Sequence, residues 1–266
     1  MKYSHLITMA SIVFVSPAIA SSLVVPGPGT GNAQAPTPFN YYGSSGSQVQ
    51  QIYASSFFPG EELISGFSFR AYPGAAPSFF FSNTVNISDV VIQLSTTSAG
   101  ADESGSLPSA TFADNLGSDA TTVYSGALTL STAATGIGAQ PFDYTVTFSQ
   151  PFLYDPADGN LLLDVTIPSG AKVSGSGFGF LTFDTVNTID DGIYSVVNIS
   201  SGSASSGTLS TAGAITSFVV SPVAAPEPST WVMMIAGFGI LGAGMWQRRS
   251  RSTGCGSMRA TSAARG

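Results

Sequence analysis

The chain has 266 residues, 43% of them hydrophobic and only 9% charged. That balance excludes a charge-rich disordered tail or a nucleic-acid binder as the main body. Residues 21–228 carry all fifteen acidic side chains against two basic ones, Arg70 and Lys172, a net charge of −13 that repels a phosphate backbone.

The only histidine, His5, and the only cysteine, Cys255, lie near the two ends. The body between them therefore cannot form a Ser-His-Asp or Cys-His pair, a His or Cys zinc site, or an internal disulfide. Carboxylate chemistry and oxygen-ligand metal binding remain open to it.

Lys2, the ten-residue apolar run Leu6 to Val15, and Ala18-Ile19-Ala20 form the three parts of a secretory signal peptide over residues 1–20. Cleavage is predicted between Ala20 and Ser21. A ten-residue helix rises about 15 Å, roughly half a bilayer core, so this run is too short for a permanent anchor. Residues 21–47 are expected to be a linker, because the prolines and glycines from Val25 to Pro38 oppose regular structure.

Residues 48–221 show apolar residues at period two, the pattern of half-buried strands. Val90, Ile92 and Leu94 share one face, as do Tyr144, Val146 and Phe148, and Leu161, Leu163, Val165 and Ile167. Further strands are expected over 49–55, 63–70, 79–85, 122–130, 177–183, 193–199 and 214–220. Gly, Pro, Ser, Asn and Asp separate them, and no stretch has the helical period that parallel crossovers need. These features predict an all-β fold: a single antiparallel β-sandwich, jelly-roll-like, with its core supplied largely by phenylalanine. Ser200 to Gly213 is low in complexity and is either a loop or the start of a stalk.

The densest polar cluster runs from Asp155 to Asn160, with Asp164 beyond it. Asp155, Asp158 and Asn160 could offer oxygen ligands to Ca²⁺, but Asp, Pro, Gly and Asn are also what a tight turn requires, and the turn is the favoured reading. Asp190-Asp191-Gly192 reads as a hairpin turn, while Asp102, Glu103, Asp114 and Asp119 fall in expected loops. A glycosidase needs two carboxylates flanking one bond, and the sequence pairs none. Tyr41, Tyr42 and Phe79 to Phe81 could stack on sugar rings or pack into the core.

Trp231 to Trp246 is a sixteen-residue run without a charge, followed by Gln247 and then Arg248, Arg249 and Arg251. As a helix over 231–247 it spans about 24 Å, a short transmembrane segment with a tryptophan at each interface. The arginines keep the tail 248–266, including Cys255, cytoplasmic by the positive-inside rule, with the acidic body on the opposite side. The linker 222–230 in front of the helix contains Pro226-Glu227-Pro228.

Pro-Glu-Pro, a short polar step, an apolar helix with Gly-Phe-Gly and an arginine cluster together resemble the PEP-CTERM sorting signal of Gram-negative bacteria. The resemblance covers Pro226 to Arg249. It implies recognition of Pro226, Glu227 and Pro228 by an exosortase, a membrane-embedded processing enzyme, with Trp231 to Trp246 as the membrane helix and Arg248 and Arg249 as the stop cluster. These residues would be substrate, not catalyst. The stretches QQIYASSFF, LISGFSFR, TFADNLGSD and PFLYDPADGNLLLDV are similar to ectodomains of other PEP-CTERM proteins, a likeness that implies no activity.

The expected function is that of an exported surface or matrix protein without catalytic activity or obligatory cofactor, structural or adhesive in exopolysaccharide and anchored in the membrane until processed. A Ca²⁺-assisted carbohydrate-binding module is the alternative, and a carboxylate-dependent glycosidase is third.

Overall fold

In the computed structural model the described residues are 19–29, 31–35, 39, 45–72, 84–102, 106–133, 140–175 and 182–223. Ala18–Val223 form one compact unit, and its described residues are all-β apart from one short helix and short 3₁₀ segments.

Its strands in chain order are β1 (Ser21–Val25), β2 (Ala33–Ala35), β3 (Ser47–Tyr53), β4 (Glu62–Phe69), β5 (Thr84–Thr97), β6 (Thr121–Ser131), β7 (Tyr144–Tyr154) and β8 (Asn160–Ile167). There follow β9 (Val173–Gly175), β10 (Phe183–Asn187), β11 (Ile193–Asn198), β12 (Thr208–Ser210), β13 (Ala212–Ala214) and β14 (Thr216–Pro222). The helix α1 (Phe112–Asn115) lies between β5 and β6.

Every pairing is antiparallel. One sheet has the order β1-β14-β4-β7, a second β12-β11-β3-β8-β5-β6, and a small third β13-β10-β2. β9 continues the lane of β8 along β5: β8 faces Val91 to Thr97, and β9 faces Val85 to Ile87. Eight of these strands, four from each large sheet, follow one pattern, with β9, β11 and β12 extending the second sheet. When β1, β3, β4, β5, β6, β7, β8 and β14 are numbered one to eight, they lie as 1-8-3-6 in one sheet and 2-7-4-5 in the other.

The inner faces of the two large sheets meet in one hydrophobic core. Phe67, Phe69, Phe148, Phe152 and Phe218 come from the four-stranded sheet, and Ile92, Leu94, Leu163 and Val165 from the other. Tyr53 of β3 meets Phe218 of β14 edge to face, ring centroids 5.0 Å apart, an arrangement that adds roughly 1 kcal/mol to the burial itself. Val90, Ile92 and Leu94, and Leu161, Leu163, Val165 and Ile167, are fully buried, and Tyr144, Val146 and Phe148 lie behind them in the same core. The period-two reading of these faces agrees with the structure.

Four local expectations need correction. The segment 21–47 is not wholly irregular: β1 pairs with β14 from Ser21↔Val220 to Val25↔Thr216, and β2 pairs with β10. Hydrogen bonding to an existing edge overrides the poor intrinsic preference of that stretch.

The second correction concerns 79–94, where two strands were expected. Thr84–Thr97 is one long strand with irregular register at Ile87/Val90 and Ile92/Gln93. Residues 79–83 and 177–181 lie outside the described residues.

Third, Ser200 to Gly213 is no stalk, since it supplies β12 and most of β13. Fourth, Asp190-Asp191-Gly192 is a tight turn but not a hairpin, because β10 and β11 belong to different sheets. Asp190 at φ 60 and Gly192 at φ 81 make the bend, and the Asp191 carboxylate accepts the Thr188 and Ile193 N–H groups at 3.0 Å each.

Candidate functional site

The Asp155–Gly159 turn joins β7 to β8. Asp155 Oδ1 accepts the Ala157 N–H at 2.9 Å, and the Asp155 carbonyl accepts the Asp158 N–H at 3.1 Å. Asn160 is spent on neighbouring backbone, its Oδ1 accepting the Ser55 N–H and its Nδ2 donating to the Ala99 carbonyl, both at 2.9 Å. Of Asp155, Asp158 and Asn160, only Asp158 is exposed, and it lines a polar cleft with Asp119. Among the described residues no cluster of three or more His, Cys, Asp or Glu is placed to hold a metal ion.

Asp119 is anchored by its neighbours. Its two carboxylate oxygens accept the Thr96 N–H at 3.0 and 3.1 Å. Asp114 accepts the Ser109 hydroxyl at 2.9 Å. Tyr41, Tyr42, Glu103 and Phe79 to Phe81 lie outside the described residues.

Asp164, four residues beyond the acidic turn, lies on the outer face of β8 and is 2% exposed. Its Oδ2 accepts Nε2 of Gln50 at 2.8 Å and of Gln48 at 3.0 Å, and its Oδ1 accepts the Thr166 hydroxyl at 3.2 Å. Gln50 Nε2 also donates to the Phe112 carbonyl, and Asn115 donates to Gln50 Oε1. The β5–β6 connection is thereby fastened across the outer face of the sheet, its Ala101 buried with Ile52 and Leu162 of the strands beneath.

Burial pushes the Asp164 carboxyl above its usual range, opposed by the Gln50, Gln48 and Thr166 hydrogen bonds. Asp191 is raised by burial against its two backbone N–H donors, and Glu62 is raised by burial alone. All three shifts have one sign. The folded state holds these protons more tightly than the unfolded chain, so their contribution is complete below the ordinary carboxylate pKa of about 4 and is lost as pH rises through the folded values. The high negative charge acts in the same direction. Thermal melts should therefore show a higher Tm at about pH 5 than at about pH 8, and Asp164→Asn should flatten the slope. A Tm that rises steadily from acid to neutral pH would contradict this.

The predicted sorting residues Pro226, Glu227 and Pro228, the helix ends Trp231 and Trp246, and the cluster Arg248, Arg249 and Arg251 lie outside the described residues. Among the described residues no helix is long and apolar enough to cross a membrane. On the domain side, β14 ends at Pro222, opposite Glu62, which in turn faces Tyr154. The chain thus leaves the sheet at the same end as the β7–β8 turn.

Comparison with known families matches residues 224–249 to the PEP-CTERM protein-sorting motif. No curated protein and no solved structure matches the chain. The motif implies export, processing by an exosortase and sorting to the cell surface. The chain thus carries a PEP-CTERM protein-sorting motif at residues 224–249, directly after the last strand of an all-β domain.

Proposed function

We propose that this protein is a surface or matrix component whose acidic β-domain has a structural or adhesive role in extracellular polymer and performs no catalysis. A signal peptide ending at Ala20 delivers the chain across the inner membrane, the 231–247 helix holds it there, and processing near Pro226-Glu227-Pro228 sends the domain outward. The match at 224–249 carries this reading.

Three features of the domain support it. β1 begins at Ser21, the first residue after the expected cleavage point, and all five of its residues pair with β14. The strand order 1-8-3-6 and 2-7-4-5 supports a jelly-roll reading, an architecture used widely for binding and assembly, with β2 inserted after the first strand and β9 to β13 before the last. Asp119 and Asp158, the two carboxylates that share a cleft, are both exposed, which is poor shielding for a general acid.

The sorting step is tested by replacing Pro226, Glu227 and Pro228 with alanine in the native host and fractionating the cells. The variant should leave the surface fraction and accumulate in membranes. Undiminished surface display would overturn the reading.

A further inference from the structure

The last residues of β5, the end of the β5–β6 connection and the β7–β8 turn enclose a half-open cleft of about 310 Å³. Thr96, Thr97, Ser98, Ser118, Asp119 and Asp158 line it together with Gly117 of the β5–β6 connection, and the buried Thr97 hydroxyl is already engaged, donating to the Asn115 carbonyl and accepting the Ala99 N–H. Its walls are built by close backbone approach. A Cβ on Gly117 would lie 1.9 Å from the Thr96 carbonyl oxygen, and one on Gly159, at φ +144, would lie 2.6 Å from that of Thr97. Both loops therefore seat directly on the end of β5, and the Thr96 N–H fixes the Asp119 carboxylate at the rim.

The lining is hydroxyl and carboxylate, with no Lys or Arg and no aromatic ring. Such a surface cannot compensate an anion, and it offers no stacking platform. It accepts hydrogen bonds from hydroxyl groups and attracts positive charge, the more so within a body of net charge −13. The volume is near the lower end of the roughly 300–1,000 Å³ found for small-molecule sites, enough for one or two sugar rings, and the open side lets a longer chain continue outward.

We infer that this cleft binds an amino-sugar unit of an extracellular glycan, with Asp158 and Asp119 receiving its ammonium group and hydroxyls and the Thr96, Ser98 and Ser118 hydroxyls completing the contacts. The inference rests on the adhesive reading of the domain and names its ligand class. Asp158 is the residue to test, because its side chain is exposed and its backbone N–H alone serves the turn.

The experiment is calorimetric titration of the detergent-solubilised chain from Ser21 onward with a glucosamine tetramer at about pH 6, where its amines are largely protonated. Binding should weaken at least about tenfold with the N-acetylated tetramer and with Asp158→Asn, and weaken further with salt. Ser118→Trp, which fills the cleft without changing charge, should abolish it. Four results would overturn the proposal: no binding of the glucosamine tetramer, binding unaffected by both variants, equal binding of a lysine tetramer, or Ca²⁺ occupying the cleft while the saccharide does not. Any of these alongside normal surface display would remove the ligand and leave the sorting function intact.

Discussion

Arg70→Met is expected to destabilise the β-domain by about 3–5 kcal/mol, because it leaves one partner of a buried ion pair uncompensated. Arg70 Nε donates to Asp184 Oδ2 at 2.7 Å, with side chains 4% and 0% exposed. The same guanidinium donates to the carbonyls of Pro28 and Gly29, and Asp184 Oδ1 accepts the Gly31 N–H at 2.9 Å. Its Cζ also lies 4.8 Å from the centre of the Phe142 ring, a cation–π contact. One ion pair thus fastens the stretch between β1 and β2 to β4 and β10.

Since small domains are stable by only about 5–15 kcal/mol in total, the loss should appear as a large fall in the urea midpoint. The double variant Arg70→Met with Asp184→Leu removes the stranded charge and should recover much of it. A single-variant loss below about 1 kcal/mol would mean that the pair contributes no more than an exposed one.

Gln51→Leu is the second large effect, expected to cost about 2–4 kcal/mol by stripping hydrogen bonds from buried backbone. The Gln51 side chain bonds the main chain of Ala214 twice, with Nε2 donating to its carbonyl at 2.8 Å and Oε1 accepting its N–H at 2.9 Å. Nε2 also donates to Tyr53 Oη, which shares a hydrogen bond of 2.7 Å with Thr216 Oγ1. Gln51, Ala214 and Thr216 are all fully buried. The amide thus splices the end of β13 onto β3 where no strand ladder joins them. Equilibrium unfolding of the variant against the parent measures the cost, and a change within about 0.5 kcal/mol, the range of an ordinary surface substitution, would refute the role given to Gln51.

These two sites mark the boundary of what the residue pattern discloses. Val90, Ile92 and Leu94 announce their strand because alternation is local and one face is apolar. Gln51 announces nothing: a glutamine in a strand reads as a solvent-facing residue, and only the arrival of Ala214, 163 positions away, makes it a core residue.

The same holds for β8. Its inner face follows the alternation, yet Leu162 and Asp164 are also buried, because the β5–β6 connection crosses the outer face. The unbroken LLLDV run carried that signal, since strands covered on both sides lose their alternation. The proline- and glycine-rich start hid β1 and β2 because edge pairing, not propensity, makes them strands. The acidic turn was legible as a turn, whereas its pairing with the 117–119 loop across a cleft depends on tertiary placement. The sorting tail was the most legible element, being a linear signal in which order and spacing suffice.

The central claim, that the chain is exported, trimmed at both ends and displayed, is tested most directly by intact-mass spectrometry of the protein recovered from its native cell surface. The predicted mass begins at Ser21 and ends near Pro226-Glu227-Pro228, and the alanine-substituted protein, recovered from membranes, retains Trp231 to Gly266. A surface protein that still carries Trp231 to Gly266 would contradict processing at the sorting motif.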